Sequence, residues 1–204
     1  MSIYSSLLSS SSLPRRKVFI SYFKGDKNWV DSFVKQYGPE GEGIFTPKAL
    51  GVNDIDDFVN SDNPEYIMSQ IREKYLGDSS VTIVLIGSCT HSRRYVDWEI
   101  KSSLRRGTIL AGPIPNGLIG ITIPPLSSGP NWPHLPDRFK RNFQKNGKGY
   151  ARYYTYPTLG ATLRSWIEDA YNARTNRVDV IDNPQDVMKY NSKCLAHGET
   201  HVIS

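Results

Sequence analysis

The sequence predicts an α/β protein, a three-layer sandwich with helices on both faces of a mostly parallel central sheet. Three observations carry that expectation. Short, nearly unbroken apolar runs such as Val81-Thr82-Ile83-Val84-Leu85-Ile86 suit strands buried on both faces. Between them stand segments whose apolar residues recur three and four apart, as one face of a helix requires. The two kinds of segment alternate along the chain, which favours crossover connections and parallel pairing.

Lys17-Val18-Phe19-Ile20-Ser21-Tyr22 is the first expected strand, ended by Gly25-Asp26. Asp26 is placed to cap a helix with the stripe Trp29, Val30, Phe33, Val34 and Tyr37, and Gly38-Pro39 stops it. Gly43 to Thr46 reads as a short second strand and residues 47–64 as a loop. Pro64-Glu65 opens a helix through Tyr66, Ile67, Ile71 and Tyr75, since Pro suits a first turn. After the Val81–Ile86 strand comes a helix from about Tyr95 to Arg105 with the stripe Val96, Ile100 and Leu104. Leu118 to Ile123 is the next buried strand. Residues 124–150 break the rhythm: five prolines stiffen them, and Arg138, Lys140, Arg141, Lys145 and Lys148 make them basic. Tyr153 to Tyr156 fits an edge strand. The last amphipathic helix carries Leu159, Leu163, Trp166, Ile167, Ala170 and Tyr171. One domain over 16–174 follows, with a serine-rich lead-in over 1–15, an insertion at 124–150 and a peripheral tail over 175–204.

Composition bounds the function. Hydrophobic residues make up 38% and charged residues 22%, which is globular rather than disordered. No apolar run approaches the ~20 residues that span a bilayer. The net charge of +5 is a mild excess, without the basic and aromatic stripe of a nucleic-acid reader. Cys89 and Cys194 are too few for a disulfide framework or a four-cysteine zinc site. The N-terminus lacks a basic, apolar leader, and with the scarce cysteines this suggests a cytoplasmic protein.

Most catalytic signatures are missing: no dinucleotide-binding glycine fingerprint, no P-loop and no nucleophile elbow. Asp54, Asp56, Asp57 and Asp62 lack calcium-loop spacing. Cys194, His197 and His201 lack a fourth ligand for zinc, so no metal is expected. Glu99 stands out. It falls roughly 100° from the centre of its helix's apolar stripe, at the border of core and solvent. Its helix starts just past the carboxyl end of a buried strand, where ligands bind in such sheets. An ordinary first-turn glutamate complementing the helix dipole has the same position. Trp98 lies roughly 160° from the stripe, so it is expected to pack beneath the 124–150 segment or against another chain, or else beneath a neighbouring helix.

Several segments, taken as an ordered set, resemble the TIR (Toll/interleukin-1 receptor) domain, whose fold is flavodoxin-like, and most closely the TIR-like branch of bacterial Thoeris anti-phage systems. Val18 to Tyr22 is similar to the family's first-strand box, and Ser79 to Gly87 to the strand before its catalytic helix. Tyr95-Val96-Asp97-Trp98-Glu99-Ile100 resembles the W-C-x-x-E-L pattern of NAD-cleaving members, with Tyr95 and Val96 in place of Trp and Cys. The receptor-type R-D-x-x-P-G loop is absent; residues 47–57 fill its place. The resemblance spans roughly residues 16–123.

It implies that Glu99 is catalytic and that NAD is the substrate, with no resident cofactor. It also implies a nucleotide pocket from Ser21, Tyr22, Phe23 and Lys24 after the first strand, Phe45 and Asp54 from the bordering loop, and Ser88 and Tyr95 at the start of the catalytic helix. Water attack on the ribose would give ADP-ribose, and attack by the substrate's own adenine a cyclic product. The product would activate a separate effector. A phage-derived trigger and a homo-oligomer fit the same reading, with no nucleic-acid or membrane partner. The alternative is a non-enzymatic TIR-like interaction module. A response-regulator phospho-acceptor is disfavoured, because the third strand ends in Ile86-Gly87-Ser88 with no Asp.

Overall fold

A computed structural model describes residues 14–50, 63–106, 114–124, 134–143 and 148–196. Its elements follow in the order β1 (Arg16–Tyr22), α1 (Lys27–Tyr37), β2 (Phe45–Leu50), α2 (Pro64–Gln70), β3 (Val81–Ile86), α3 (Arg94–Ser103), β4 (Gly117–Thr122), α4 (Asp137–Asn142), β5 (Arg152–Tyr154) and α5 (Gly160–Asn176). The strands form one sheet in the order β2-β1-β3-β4-β5, and every neighbouring pair is parallel. The expected α/β sandwich is therefore the observed one. The chain steps outward from β1 to β2, then returns past it to β3, so the order reverses beside β1 and β3. That is where such sheets place their ligands, beyond the carboxyl ends of the strands.

Period-two alternation sorts the strand residues between the layers. Val18, Ile20, Tyr22, Ile83, Leu85, Ile119 and Ile121 pack against α1 and α5. On the other face Val84, Ile86 and Leu118 meet α3 and Phe139 of α4, while Phe19 meets Trp98 and the α2 region. Asn63 caps α2, its side chain accepting from the Glu65 and Tyr66 amides, with Pro64 in the first turn. The helix continues in π-helical form over Ile71–Leu76.

Several expectations about single elements change. β2 runs to Leu50, so residues 47–50 belong to the sheet and not to a loop; the acidic residues 54–62 lie outside the described residues. The 124–150 segment is not wholly irregular, because it carries α4. Trp29 and Leu159 leave the stripes assigned to them, being 39% and 64% exposed. Asp26 stands at the N-cap position of α1 but makes no side-chain capping bond there.

The largest change concerns the C-terminal segment. Residues 177–196 are not a peripheral tail but a strap laid across α3 and α4. Ile181 enters the α3 core, and Val187 packs beside Trp98. Lys101 donates to the Gln185 carbonyl, Asn183 Nδ2 donates to the Lys101 carbonyl at 3.1 Å, and the Arg94 amide donates to Asn191 Oδ1 at 3.0 Å. Trp98 is accordingly buried, at 3% exposure, by α2 on one side and by the strap on the other, where its Nε1 donates to the Met188 carbonyl at 2.9 Å. The neighbouring helix and the strap thus cover it among the described residues.

Cys89 and Cys194 are joined by a disulfide that closes a separation of 105 residues. Two cysteines make no framework, but this one bridge fastens the strap to the turn after β3. It also removes scarce cysteines as a ground for a cytoplasmic location. No helix among the described residues is long and apolar enough to cross a membrane. Cross-links over loops this long typically stabilise by roughly 2–4 kcal/mol. Cys194→Ser should therefore lower the urea midpoint relative to the oxidised wild type, with a steeper slope because the unfolded chain is no longer cross-linked, and reductant should lower the wild type to match. Equal midpoints for oxidised wild type and variant would show that the bridge contributes nothing.

Candidate functional site

Parallel strands β1 and β3 end side by side, with Ser21 paired to Val84 and Tyr22 to Leu85. Ser21 and Phe19 share the face that α3 covers, since they are two residues apart; Tyr22 points to the α1 and α5 side. Ser21 is fully buried, and its hydroxyl has no hydrogen-bond partner among the described residues. A polar atom left unpaired in a buried layer is costly, so the Ser21 hydroxyl calls for a partner that the described residues do not supply.

Glu99 reaches the same layer. One end of α3 is fixed by Ser103, whose Oγ lies 2.7 Å from Thr82 Oγ1 near the start of β3. Glu99 is one turn earlier on the same helical face. Four helical residues rise about 6 Å, close to two strand residues at about 6.6 Å. α3 runs antiparallel to β3, so Glu99 lies level with Val84 and, across the ladder, with Ser21. Its expected position at the border of solvent is corrected: Glu99 is 2% exposed. The stripe of Val96, Ile100 and Leu104 faces α4 and β4, Trp98 faces α2, and Glu99 faces the sheet between them. The helix buries a wider arc than its apolar stripe alone, because Trp98 beyond Glu99 is buried as well.

Three groups that sequence reasoning missed close the end of the sheet. Asp26 turns its carboxylate toward the end of β3. A Cβ on Gly87 would stand 2.1 Å from Asp26 Oδ2, so only glycine leaves room there. The Arg93 guanidinium, itself 7% exposed, lies over the Phe23 ring at 4.1 Å and interacts electrostatically with Asp26. Phe23 folds back over its own turn, where a Cβ on Gly25 would meet the ring at 2.5 Å. Thr90 accepts from the Gly87 amide at 2.8 Å. Two glycines just past the carboxyl ends of β1 and β3, Gly25 and Gly87, were the signal available in the sequence.

Burial pushes the Asp26 carboxyl up to about 6, and Arg93 and Thr90 only partly offset this. The folded-state value is raised above the unfolded one, so ionising Asp26 costs stability. The loss begins near pH 4, grows to about pH 6 and is complete above that. Asp26→Asn should therefore be more stable than wild type at pH 7.5, on the order of 1 kcal/mol after solvent screening, and indistinguishable at pH 4. Thermal melts at the two pH values test this; an equal gap at both would rule out the assignment.

The other expected site residues divide. Ser88 follows β3 beside this cluster, and Lys24 is exposed in the turn after β1. Tyr95 stands one turn before Glu99, its ring 5.3 Å edge-on from Trp98 and its hydroxyl accepting from Arg94 at 2.9 Å. Tyr22 is 8% exposed in the core opposite α3. Phe45 is not in a bordering loop. It begins β2, pairs with Arg16 at the amino end of the sheet, and stacks on Phe33 at 5.8 Å. The structure thus leaves Phe45 at the far end from Glu99. Asp54, His197 and His201 lie outside the described residues. Among the described residues no cluster of three metal-ligating side chains occurs, and Cys194 is held in its disulfide.

The family model described as "Thoeris protein ThsB, TIR-like domain" matches residues 19–126, just over half of the chain. The match runs from β1 through β4 and so includes Ser21, Asp26, Arg93 and Glu99. No curated protein matches the chain.

Proposed function

Since the chain belongs to the TIR-like domain family of the Thoeris protein ThsB, and so to the defence-related TIR-like proteins, we propose that it is an enzyme cleaving NAD between nicotinamide and ribose. The observation that carries this reading is Glu99. It is held on the sheet-facing side of α3, level with the unpartnered Ser21 hydroxyl at the carboxyl ends of β1 and β3.

The chemistry asks little more of the protein than a fixed negative charge. The bond from ribose C1′ to the pyridinium nitrogen breaks, its electron pair passes to that nitrogen, and nicotinamide leaves neutral. Positive charge then develops on the ribose, as in glycoside cleavage. A carboxylate held beside that ribose is stabilising mainly in the transition state, which is what accelerates a reaction. Water attack at C1′ with loss of a proton gives ADP-ribose. Attack by a ring nitrogen of the substrate's adenine closes a cyclic product, and excluding water favours that route. Ser21 would orient the ribose, Phe23 would stack on a base, Lys24 and Arg93 would neutralise the pyrophosphate, and Ser88 and Tyr95 would flank the ribose. Asp54 remains in the proposal as a pocket-bordering residue. The nucleotide product would activate a separate effector in anti-phage defence, acting in the cytoplasm.

The near-complete enclosure of Glu99 favours an enzyme that stays silent until a trigger opens its site. The same enclosure suits a second reading, a non-enzymatic interaction module in which Glu99 is structural. Purified protein incubated with NAD, with and without infected-cell lysate, separates the two. Release of nicotinamide with ADP-ribose or its cyclic form supports the enzyme. NAD that stays intact in the presence of lysate supports the module.

A further inference from the structure

On the side of α3 that faces away from the sheet, an open cleft of about 810 Å³ lies between α2, the end of α3 and the strap. Its volume is within the range of roughly 300–1,000 Å³ usual for small-molecule sites. Met68, Leu104, Ile181 and Val187 give the floor a narrow apolar strip within a lining that is mostly polar. The walls carry Arg72, Lys101, Arg105 and Arg106, against the carboxylates of Glu65 and Asp182. None of the four cations forms an ion pair among the described residues. Lys101 donates to the Pro184 and Gln185 carbonyls, and Arg106 to the Val178 carbonyl at 3.1 Å. Arg72 is partly desolvated and faces the like charge of Arg105, which lowers its pKa. Lys101, two residues beyond Glu99, projects from the opposite side of the helix, so the cleft is separate from the layer that holds Glu99.

We propose that this cleft binds a small phosphorylated ligand of the nucleotide class, its phosphates held by Arg72, Lys101 and Arg105 and its base laid on the apolar strip. Guanidinium forks match phosphate oxygens in pairs, and an anion would relieve the repulsion between Arg72 and Arg105. A surface merely solvated by lysines would have no apolar strip. A groove for a long polyanion would have no closing wall, whereas here the strap forms one.

Calorimetric titration of the full chain with inorganic pyrophosphate and with ATP, at low and moderate salt, tests the proposal. The expected result is one ATP per chain, bound more tightly than pyrophosphate and weakened by salt. Arg72→Gln combined with Arg105→Gln should reduce affinity at least tenfold, and Arg105→Gln alone, at an exposed position, severalfold with an unchanged melt. Glu99→Gln should bind ATP as the wild type does. The proposal is overturned if neither probe binds, or if Arg105→Gln and the double variant bind like the wild type. It is also overturned if Glu99→Gln abolishes binding, which would move the anion to the Glu99 layer. A short single-stranded oligonucleotide binding more tightly than ATP would make the cleft a nucleic-acid groove instead.

Discussion

Arg138→Met is expected to destabilise the protein by about 3–5 kcal/mol, the usual cost of leaving one member of a buried ion pair without the other. Arg138 is 4% exposed, and its Nε donates to Asp97 Oδ1 at 2.8 Å. Its remaining donors reach Asn183 Oδ1 at 2.9 Å, the Pro184 carbonyl at 2.8 Å and the Asp186 carbonyl. Asp97 also accepts from the Met188 amide at 3.0 Å. One guanidinium thus joins α4, α3 and the strap, and its loss would leave the buried Asp97 carboxylate with the Met188 amide but without its cation. Because the strap covers α3, hydrogen exchange at residues 185–188 should quicken along with the loss of stability. Urea unfolding of Arg138→Met, Asp97→Asn and the double variant measures the coupling, which should reach at least about 1 kcal/mol for groups in contact. Additive effects, or a single-variant loss under about 1 kcal/mol, would remove Arg138 from this role.

How far the sequence could be read follows from what holds each part in place. The strands and their order of faces were legible in Val18 to Tyr22 and Val81 to Ile86, because strands buried on both faces must be apolar throughout. The helices α1, α3 and α5 were legible in their spacing. Glu99 was legible from the position of its helix after β3. Its burial was not, since the stripe of Val96, Ile100 and Leu104 marks only one buried side of α3, and Trp98 and Glu99 are buried beyond it. The strap was not legible either: hydrogen bonds and a disulfide hold most of it, and Ile181 and Val187 alone are too few to leave a hydrophobic pattern. Arg138 was hidden for a related reason: among Lys140, Arg141, Lys145 and Lys148 it reads as one more solvated cation, yet α4 turns it inward. Asp26 and Arg93 were missed because their partners lie on different elements, and only the close approach to Gly87 betrays the first. Phe45 was misplaced because an aromatic at the start of a short strand looks the same whether it borders a pocket or fills a core.

Glu99→Gln is expected to reduce NAD cleavage a hundredfold or more. The substitution keeps the size and shape of the side chain and removes only the charge. Removing a comparable stabilising contact elsewhere costs about 3–4 kcal/mol in the transition state. The fold should tolerate the change, because an amide in the same layer makes similar hydrogen bonds without the expense of a buried charge. NAD turnover under triggering conditions, with a thermal melt on the same preparation and Glu99→Asp alongside, is the most direct measurement. The account predicts a variant that melts like the wild type and releases almost no nicotinamide, with Glu99→Asp, which keeps the charge but retracts it, intermediate. A Glu99→Gln protein that melts normally and turns over NAD at near the wild-type rate would contradict it.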